Sequence, residues 1–391
     1  MRSLYVVLLL VVPGLCSAEE KCTAQGRTDI LLVIDSAVKA SRLIEPDDAD
    51  WILLEAASYQ ACFRNYEQAR KLASQIQDAE DRSYAYFSIA ISYARQGDFA
   101  QAIPLADCTI RKSEVLEKIA VCQAEQGDYA GAQKTISLIT EDLVHAKDWI
   151  IKADQINGRA LLDVAILQAK AGNRDASLKM IDQAKRILRK FHDDLSVIGK
   201  LAEAYAYADD IEESDEWLNL LKKKFEPNDD IFSIGHMIKE IALGYATAQK
   251  YQMAFQIVKV LPDSEERGEA IHDIGLLLFS RGDEAGVEEL LSITDGVWGP
   301  EELLVELVKR NVQLRQPDKA LKYADQFEAD WTQDRAQALL QIAALQQALK
   351  QPLKAEKTAQ QAHQLIEGAR SEKKLFAELL TDWAEYQLHC H

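Results

Sequence analysis

The sequence predicts an all-α protein: a solenoid of about nine antiparallel helix pairs with a capping helix at each end. Three observations predict it. An apolar stretch with helical spacing is followed nine times by a short polar break and a second helix. The breaks carry residues that end one helix and start the next, as in Gly97-Asp98. No alternating Val/Ile/Thr segment of useful length is present, so a sheet has no obvious place.

A small residue opens each second helix and serves as the anchor of its repeat. Successive anchors are 33, 30, 44, 38, 40, 33, 33 and 35 residues apart, about 36 on average. Such self-similarity is typical of repeat proteins, in which stacked neighbours bury faces that one helix pair cannot bury alone. The anchors are Ala69, Ala102, Ala132, Ala176, Ser214, Ala254, Val287, Ala320 and Ala355.

The repeats anchored at Ala102 and Ala132 resemble the tetratricopeptide repeat family. In the first of them the family pattern is carried by Ala90, Tyr93, Gly97, Phe99 and the anchor. The resemblance spans roughly residues 48 to 366, although the family's early tryptophan and closing proline are mostly missing. It implies right-handed stacking of helical hairpins and a concave ligand face lined by the first helix of each pair.

Two long spacings suggest how the chain is organised. The 44-residue spacing adds Glu141–Gln155, which we interpret as a longer helix pair, and the 40-residue spacing includes the polar turn Lys222–Asp230. The sequence therefore predicts a signal peptide at 1–18, an N-terminal capping helix at 19–47, three repeats at 48–140, six repeats at 141–370 and a C-terminal capping helix at 371–391.

The first residues predict export. Arg2 precedes the apolar run Leu4–Val12, and Cys16-Ser17-Ala18 supplies small residues for cleavage. The run is far shorter than the roughly 20 residues that span a bilayer, so we expect no retained anchor. The mature protein is expected to begin at Glu19 and to be periplasmic or secreted.

Charge and cysteine content narrow the function further. The net charge is −18, which argues against a nucleic-acid partner because phosphate binding requires a clustered positive field. Five cysteines remain after cleavage, so disulfides are allowed and at least one thiol is left over. Candidate bridges are Cys108–Cys122, on neighbouring helices, and Cys22–Cys62. Buried cysteines that replace alanine are an equal alternative to the first bridge.

No catalytic or cofactor motif is present. The sequence lacks a Gly-rich phosphate loop, H-E-x-x-H, G-x-S-x-G and a paired C-x-x-C. His389-Cys390-His391 lies at the very terminus, and nothing nearby completes the four ligands of a closed metal site. We therefore predict no enzyme activity, no cofactor and no metal.

The resemblance directs attention to the concave face. Its mixed polarity suits a protein or peptide, so the leading interpretation is an exported, non-enzymatic scaffold that binds such a partner. The alternatives are a carbohydrate-active α/α-toroid enzyme that uses two carboxylates, and a purely structural component of an envelope assembly. Trp149 and Trp217 are interpreted as packing residues. The candidate binding residues are Tyr84, Phe87, Arg95, Arg159, His236, Lys239, Glu269, His272 and Lys309.

Overall fold

Helices make up nearly all of the computed structural model, which describes residues 24–41, 46–140, 143–146, 149–224, 231–261, 265–293, 300–327, 331–369, 381–383 and 386. Contacts divide the chain into two compact units, Met1–Lys223 and Lys224–His391. This division falls at the polar turn Lys222–Asp230, whereas the predicted groups of repeats meet after residue 140. Each unit is therefore described by itself.

The helices of the first unit are α1 (Ala24–Ser41), α2 (Pro46–Cys62), α3 (Tyr66–Ala73), α4 (Ala79–Arg95), α5 (Phe99–Leu105), α6 (Lys112–Glu125), α7 (Tyr129–Ile136), α8 (Ala153–Lys170), α9 (Arg174–Leu188), α10 (Leu195–Tyr207) and α11 (Ile211–Lys224), which ends at the division; 3₁₀ turns occupy Ala106–Cys108 and Arg189–Phe191. The helices of the second unit are α12 (Ile231–Thr247), α13 (Tyr251–Val260), α14 (Glu265–Ser280), α15 (Glu284–Ser292), α16 (Pro300–Gln313), α17 (Pro317–Ala324), α18 (Thr332–Ala348) and α19 (Pro352–Gly368).

Nine turns of the described chain share one backbone geometry. In each, a residue with positive φ follows the first helix, and its N–H donates to the carbonyl three residues back. The next N–H donates five residues back, at 2.8–3.0 Å. This is the Schellman motif, which ends a helix through a left-handed residue. The left-handed residues are Arg64, Gly97, Gly127, Gly172, Asp209, Gln249, Gly282, Arg315 and Lys350.

The anchor of the fourth repeat is Ser177, so the prediction of Ala176 was wrong by one residue. In the other eight repeats the left-handed residue lies five positions before the anchor, and Gly172 stands in this relation to Ser177. Ser177 is completely buried, whereas Ala176 is exposed. The Ser177 hydroxyl donates to the carbonyl of Ala165 at 2.8 Å, as the hydroxyl of the next anchor, Ser214, does to the carbonyl of Ala202.

The core lies where first and second helices meet. The nine anchors, with Ser177 in place of Ala176, are at most 1% exposed. On the facing first helices, Ala90, Ala202 and Ala242 are completely buried. Small side chains on both sides let the two backbones approach closely, and the described chain is thereby a helical repeat structure.

The segment Glu141–Gln155 does not form a longer helix pair. It contains β1 (Leu143–Ala146) and β2 (Trp149–Ile151), which pair antiparallel with Leu143 opposite Ile151 and Val144 opposite Ile150. Branched and aromatic residues favour extended backbone. The alternation is too short to stand out in the sequence, and this hairpin is the departure of the described chain from an all-helical fold.

The predicted Cys108–Cys122 bridge is absent, because both are present as thiols, Cys108 exposed and Cys122 buried. Cys108 lies just before α6, whereas Cys122 lies ten residues beyond the α6 start at Lys112. Ten helical residues span about 15 Å, well beyond the Cα separation of about 4–7 Å that a disulfide allows. Cys22 lies outside the described residues, so its pairing with Cys62 stays a prediction.

Both ends of the chain are described in part. Helix α1 covers much of the predicted leading helix and packs against α2. Near the other end, the amide of Gln337 on α18 donates to Asp382 at 2.9 Å, and the rings of His363 and Trp383 lie 5.0 Å apart. Residues 1–18 and His389-Cys390-His391 lie outside the described residues. No helix in the described ranges is long and apolar enough to cross a membrane.

Candidate functional site

One side of each first helix carries the residues that the sequence analysis selected. Positions 18, 15, 14 and 11 residues before an anchor fall on one helical face, since side chains three or four apart lie above one another. We call this the first-helix face. Tyr84 and Phe87 occupy it on α4 and are half-buried, as is Arg159 on α8.

A buried cation ties two adjacent first helices together on this face. The ammonium of Lys200 on α10 lies 2.7 Å from a carboxylate oxygen of Asp163 on α8 and 3.1 Å from Glu203, one turn further along α10. Burial by itself lowers the pKa of Lys200, but the charges of Asp163 and Glu203 raise it above its ordinary value. Lys200 is therefore firmly charged, and it keeps Glu203, only 7% exposed, as a carboxylate.

The same face continues onto α6 through Glu117. Burial raises the pKa of Glu117, and the charge of Asp163 raises it further, while Lys118 and Arg159 lower it. Glu117 therefore lies within electrostatic reach of both charged α8 residues. The predicted candidate Arg159 belongs to this network.

Tyr84 and Arg111 extend the face to α4. The guanidinium of Arg111, at the start of α6, lies 4.6 Å from the centroid of the Tyr84 ring and 3.3 Å from Glu114. Such a cation–π contact fixes the plane of the ring. Charged and aromatic side chains thus follow one another across four consecutive first helices of the first unit.

Arg95 lies at the far end of α4 and is exposed. It is seven residues before its anchor, a position taken by Lys170 on α8 and Tyr207 on α10. There the ammonium of Lys170 lies 4.4 Å from the Tyr207 ring centroid. A second line of cationic and aromatic side chains therefore borders the first-helix face in this unit.

In the second unit, the structure brings two predicted residues into direct contact. Lys239 on α12 lies 2.7 Å from Glu269 on α14, and Glu240 is 3.6 Å away. Lys239 is only 8% exposed. Burial lowers its pKa, but the hydrogen bond to Glu269 and the neighbouring carboxylates raise it overall. This is the counterpart of the Lys200 contact, in the corresponding position of a different pair of helices.

The other predicted residues of the second unit lie around this ion pair or further along the repeats. His236 is exposed one turn before Lys239. A ring nitrogen of His272 lies 3.1 Å from Asp273, its neighbour on α14. Lys309 on α16 has a 60% exposed side chain, 3.7 Å from Glu306. Its ammonium is available to a partner, whereas that of Lys239 is already engaged.

Sequence reasoning missed Glu117, Asp163, Lys200 and Glu203. Their carboxylates and ammonium read as ordinary solvated charges, because helical surfaces are rich in them. The signal that could have found them is register: all four lie 15, 14 or 11 residues before an anchor. For Asp163 that register was hidden by the choice of Ala176 instead of Ser177.

The first-helix face offers paired charges, hydroxyls and aromatic edges rather than a catalytic constellation. Within the described ranges, no three His, Cys, Asp or Glu side chains gather in a group that could hold a metal ion. Engaged side chains are held in place, and a ligand can share their remaining lone pairs and protons. The arrangement is suited to recognition of a polar chain with both signs of charge.

No protein-family model matches the chain, and no curated protein matches it in sequence. Among solved structures, Ton1535 from Thermococcus onnurineus NA1 is 16% identical, with 85% of this chain and 98% of that chain covered and a TM-score of 0.31. A circular tandem repeat protein with novel repeat topology and enhanced subunit contact surfaces is 12% identical, with 100% and 90% covered and a TM-score of 0.19. Yeast Tom70 is 13% identical, with 88% and 96% covered and a TM-score of 0.20. These TM-scores are low, so the helical-repeat fold rests on the turns and helices of this chain itself.

Proposed function

We propose that this protein is an exported, non-enzymatic scaffold that binds a protein or peptide segment along its first-helix face. The observation that carries the proposal is the continuity of this face in the first unit, from Tyr84 to Glu203. Its charged side chains pair between neighbouring first helices instead of facing water singly. A partner chain that runs across the helices meets a new set of donors and acceptors at each repeat.

Chemistry favours a polypeptide over other polymers. The face alternates cations and carboxylates, whereas nucleic acid requires a surplus of cations that a chain of net charge −18 does not supply. A polypeptide carries both signs of charge and backbone groups, which mixed rows of side chains can bind. The ammonium of Lys309 and the guanidinium of Arg95 would serve as exposed contacts.

The proposal includes a right-handed solenoid of about nine repeats in which the first-helix face is concave. Nine Schellman turns, each in the same register with a buried anchor, support the repeat number. Export is supported by the basic, apolar and small-residue segments within residues 1–18. The proposed mature protein begins at Glu19 and resides in the periplasm or outside the cell, without a membrane anchor.

A carbohydrate-active enzyme is the second candidate, because Glu117 and Asp163 have the properties of an acid and a carboxylate partner. Glycosidases pair a carboxyl of raised pKa with an ionised one. Here the pKa of Glu117 is raised, by burial first, and Asp163 is paired with Lys200. Hydrolysis of a polysaccharide by the purified protein, lost in Glu117→Gln, would favour this candidate over the scaffold.

Site-specific photo-crosslinking tests the scaffold proposal. A benzophenone amino acid replaces Lys118, exposed on α6 at the first-helix face, or Lys134, exposed on the second helix of the same repeat. In the native envelope fraction, we expect the Lys118 position to crosslink one polypeptide reproducibly and the Lys134 position not to. Equal crosslinking from both positions, or none from Lys118, would contradict the proposed face. N-terminal sequencing of the same material tests cleavage before Glu19.

A further inference from the structure

A cavity of about 480 Å³ lies on the other side of the first unit, between α9 and the helices that follow it. Its apolar wall is formed by Leu188, Val197 and Leu201, each at most 2% exposed, and by the half-buried indole of Trp217. Its rim carries Arg186, Arg189 and His192, with Asp182 and Lys185 beside them. We call it the Trp217 pocket. Its volume falls in the range of small-molecule sites.

Lys185 belongs to the wall of the pocket. Its ammonium lies 2.6 Å from Glu213 and 5.7 Å from the centroid of the Trp217 ring. Burial lowers the pKa of Lys185, but the hydrogen bond to Glu213 raises it overall. The charge of Lys185 is therefore already balanced, and its role is to hold the indole in place.

The two guanidinium groups have no such balance. Arg186 uses its Nε to donate to the backbone carbonyl of Asp182 at 3.2 Å. Among the residues that the structure describes, no carboxylate forms an ion pair with Arg186 or Arg189. Asp182 is the one carboxylate that lines the pocket, and it is exposed. In a protein of net charge −18, this rim is a local positive site over an apolar floor.

We infer that the Trp217 pocket binds a small aromatic carboxylate. A flat ring packs against the indole and the aliphatic wall, because aromatic rings favour offset or edge contacts with one another. The carboxylate then reaches Arg186 and Arg189, whose planar guanidinium groups donate pairs of hydrogen bonds to a carboxylate. The ligand joins an apolar and an anionic requirement that neither an apolar solute nor a simple anion meets.

Helix electrostatics offer a simpler role for these cations. Lys185, Arg186, Arg189 and Lys190 all lie near the carboxyl end of α9, where positive charge stabilises the helix dipole. That role makes no distinction between cations that line the pocket and those that do not. Lys190 lies outside the Trp217 pocket and pairs with Asp154, so it is the matched control.

Isothermal titration of the full chain with 2-naphthoate tests the inference, with 2-naphthylmethylammonium as the probe of opposite charge. We expect one molecule of 2-naphthoate to bind, and the ammonium probe to bind at least about tenfold more weakly. The double variant Arg186→Gln/Arg189→Gln should bind 2-naphthoate about tenfold or more weakly than the wild type. Lys190→Gln should stay within about twofold of the wild type.

Three results would overturn the inference: no heat of binding with 2-naphthoate at about 1 mM, equal binding of the two probes, or equal losses in Lys190→Gln and the double variant. Circular dichroism checks that each variant is folded. If the double variant loses helix, Arg189→Lys decides instead, because it keeps the charge and loses only the paired donors. It should bind more weakly than the wild type, and unchanged binding would contradict guanidinium recognition.

Discussion

The charge of Asp163 acts on Glu117 across two helices, although Asp163 is itself paired with Lys200. The three residues lie on α6, α8 and α10, so the protonation of one repeat depends on the ion pair of the next two. The stability of the first unit should therefore respond to single charges on the first-helix face.

Lys200→Met should destabilise the protein by about 2 kcal/mol, because it leaves Glu203 buried and Asp163 beside it without their cation. The methionine keeps the aliphatic volume of the lysine. Urea unfolding measures the change. Lys179→Met, at an exposed position on α9, is the control and should stay within about 0.5 kcal/mol of the wild type. Equal effects of the two substitutions would show that the ion pair contributes nothing.

Glu117→Gln should stabilise the protein at neutral pH by on the order of 1 kcal/mol or less. The folded pKa of Glu117 is raised by burial and then by Asp163, so the folded state holds this proton more tightly than the unfolded state. The wild type therefore loses stability as the pH rises from the unfolded pKa, about 4.3, through the folded pKa. The variant lacks this loss, so the difference should shrink as the pH falls to about 4. Unfolding at a series of pH values checks it, and Glu125→Gln, exposed on the same helix, should show no such trend.

Ala90→Leu and Ala202→Leu should each cost about 1–3 kcal/mol, because both alanines are completely buried where paired helices meet. Thermal unfolding measures the loss. Ala176→Leu is the control, since the structure places Ala176 at the surface beside the true anchor Ser177. It should change the free energy of unfolding by less than about 0.5 kcal/mol. A large loss in Ala176→Leu would restore the register that the structure rejects.

Lys350→Gly should stabilise the protein by about 0.5 kcal/mol, since Lys350 has a φ of 60° that glycine adopts without strain. Lys350→Ala removes the same side chain but keeps Cβ, and it should not stabilise. The reverse change, Gly127→Ala, should cost about 1 kcal/mol, because φ is 84° there although a Cβ would meet no atom within 4 Å. Chemical unfolding of the three variants checks the sign of each change.

Cys108 should react with iodoacetamide in the native protein much faster than Cys122. Cys108 is exposed, whereas Cys122 is buried and its pKa is raised, first by burial and then by the charge of Glu125. Mass spectrometry of alkylated, unreduced protein reports both thiols, and urea should abolish the difference. Protection of both residues until a reductant is added would instead indicate the bridge that the structure lacks.

The sequence was sufficient for the helix pairs because their signals are local. A left-handed turn residue, an anchor and apolar spacing lie within about 20 residues of one another, and each repeat shows them again. The error at Ala176 arose where two small residues stand side by side, so that composition cannot choose between them. Burial decides in favour of Ser177 because only its hydroxyl reaches the carbonyl of Ala165.

The ion pairs of the first-helix face depend on another kind of information. Lys200 and Asp163 are 37 positions apart, and neither is unusual among the charged residues of its helix. Their contact requires the repeats to be stacked and in register before the charges can be compared. The Trp217 pocket was missed for the same reason, since Trp217 and Leu188 lie on different helices and the indole read only as a packing residue.

The β-hairpin between α7 and α8 leaves the helix stack unbroken. The side chain of Asn157 on α8 donates to the carbonyl of Ile139, just after α7, at 2.9 Å, so the chain returns to the place that it left. Helix α8 also packs against both α6 and α7. The hairpin is therefore a looped-out insertion, and its length is uncoupled from the geometry of its neighbours. This junction is a permissive site, where a tag or a foreign domain can be inserted without shifting Arg159 and Asp163 relative to Glu117.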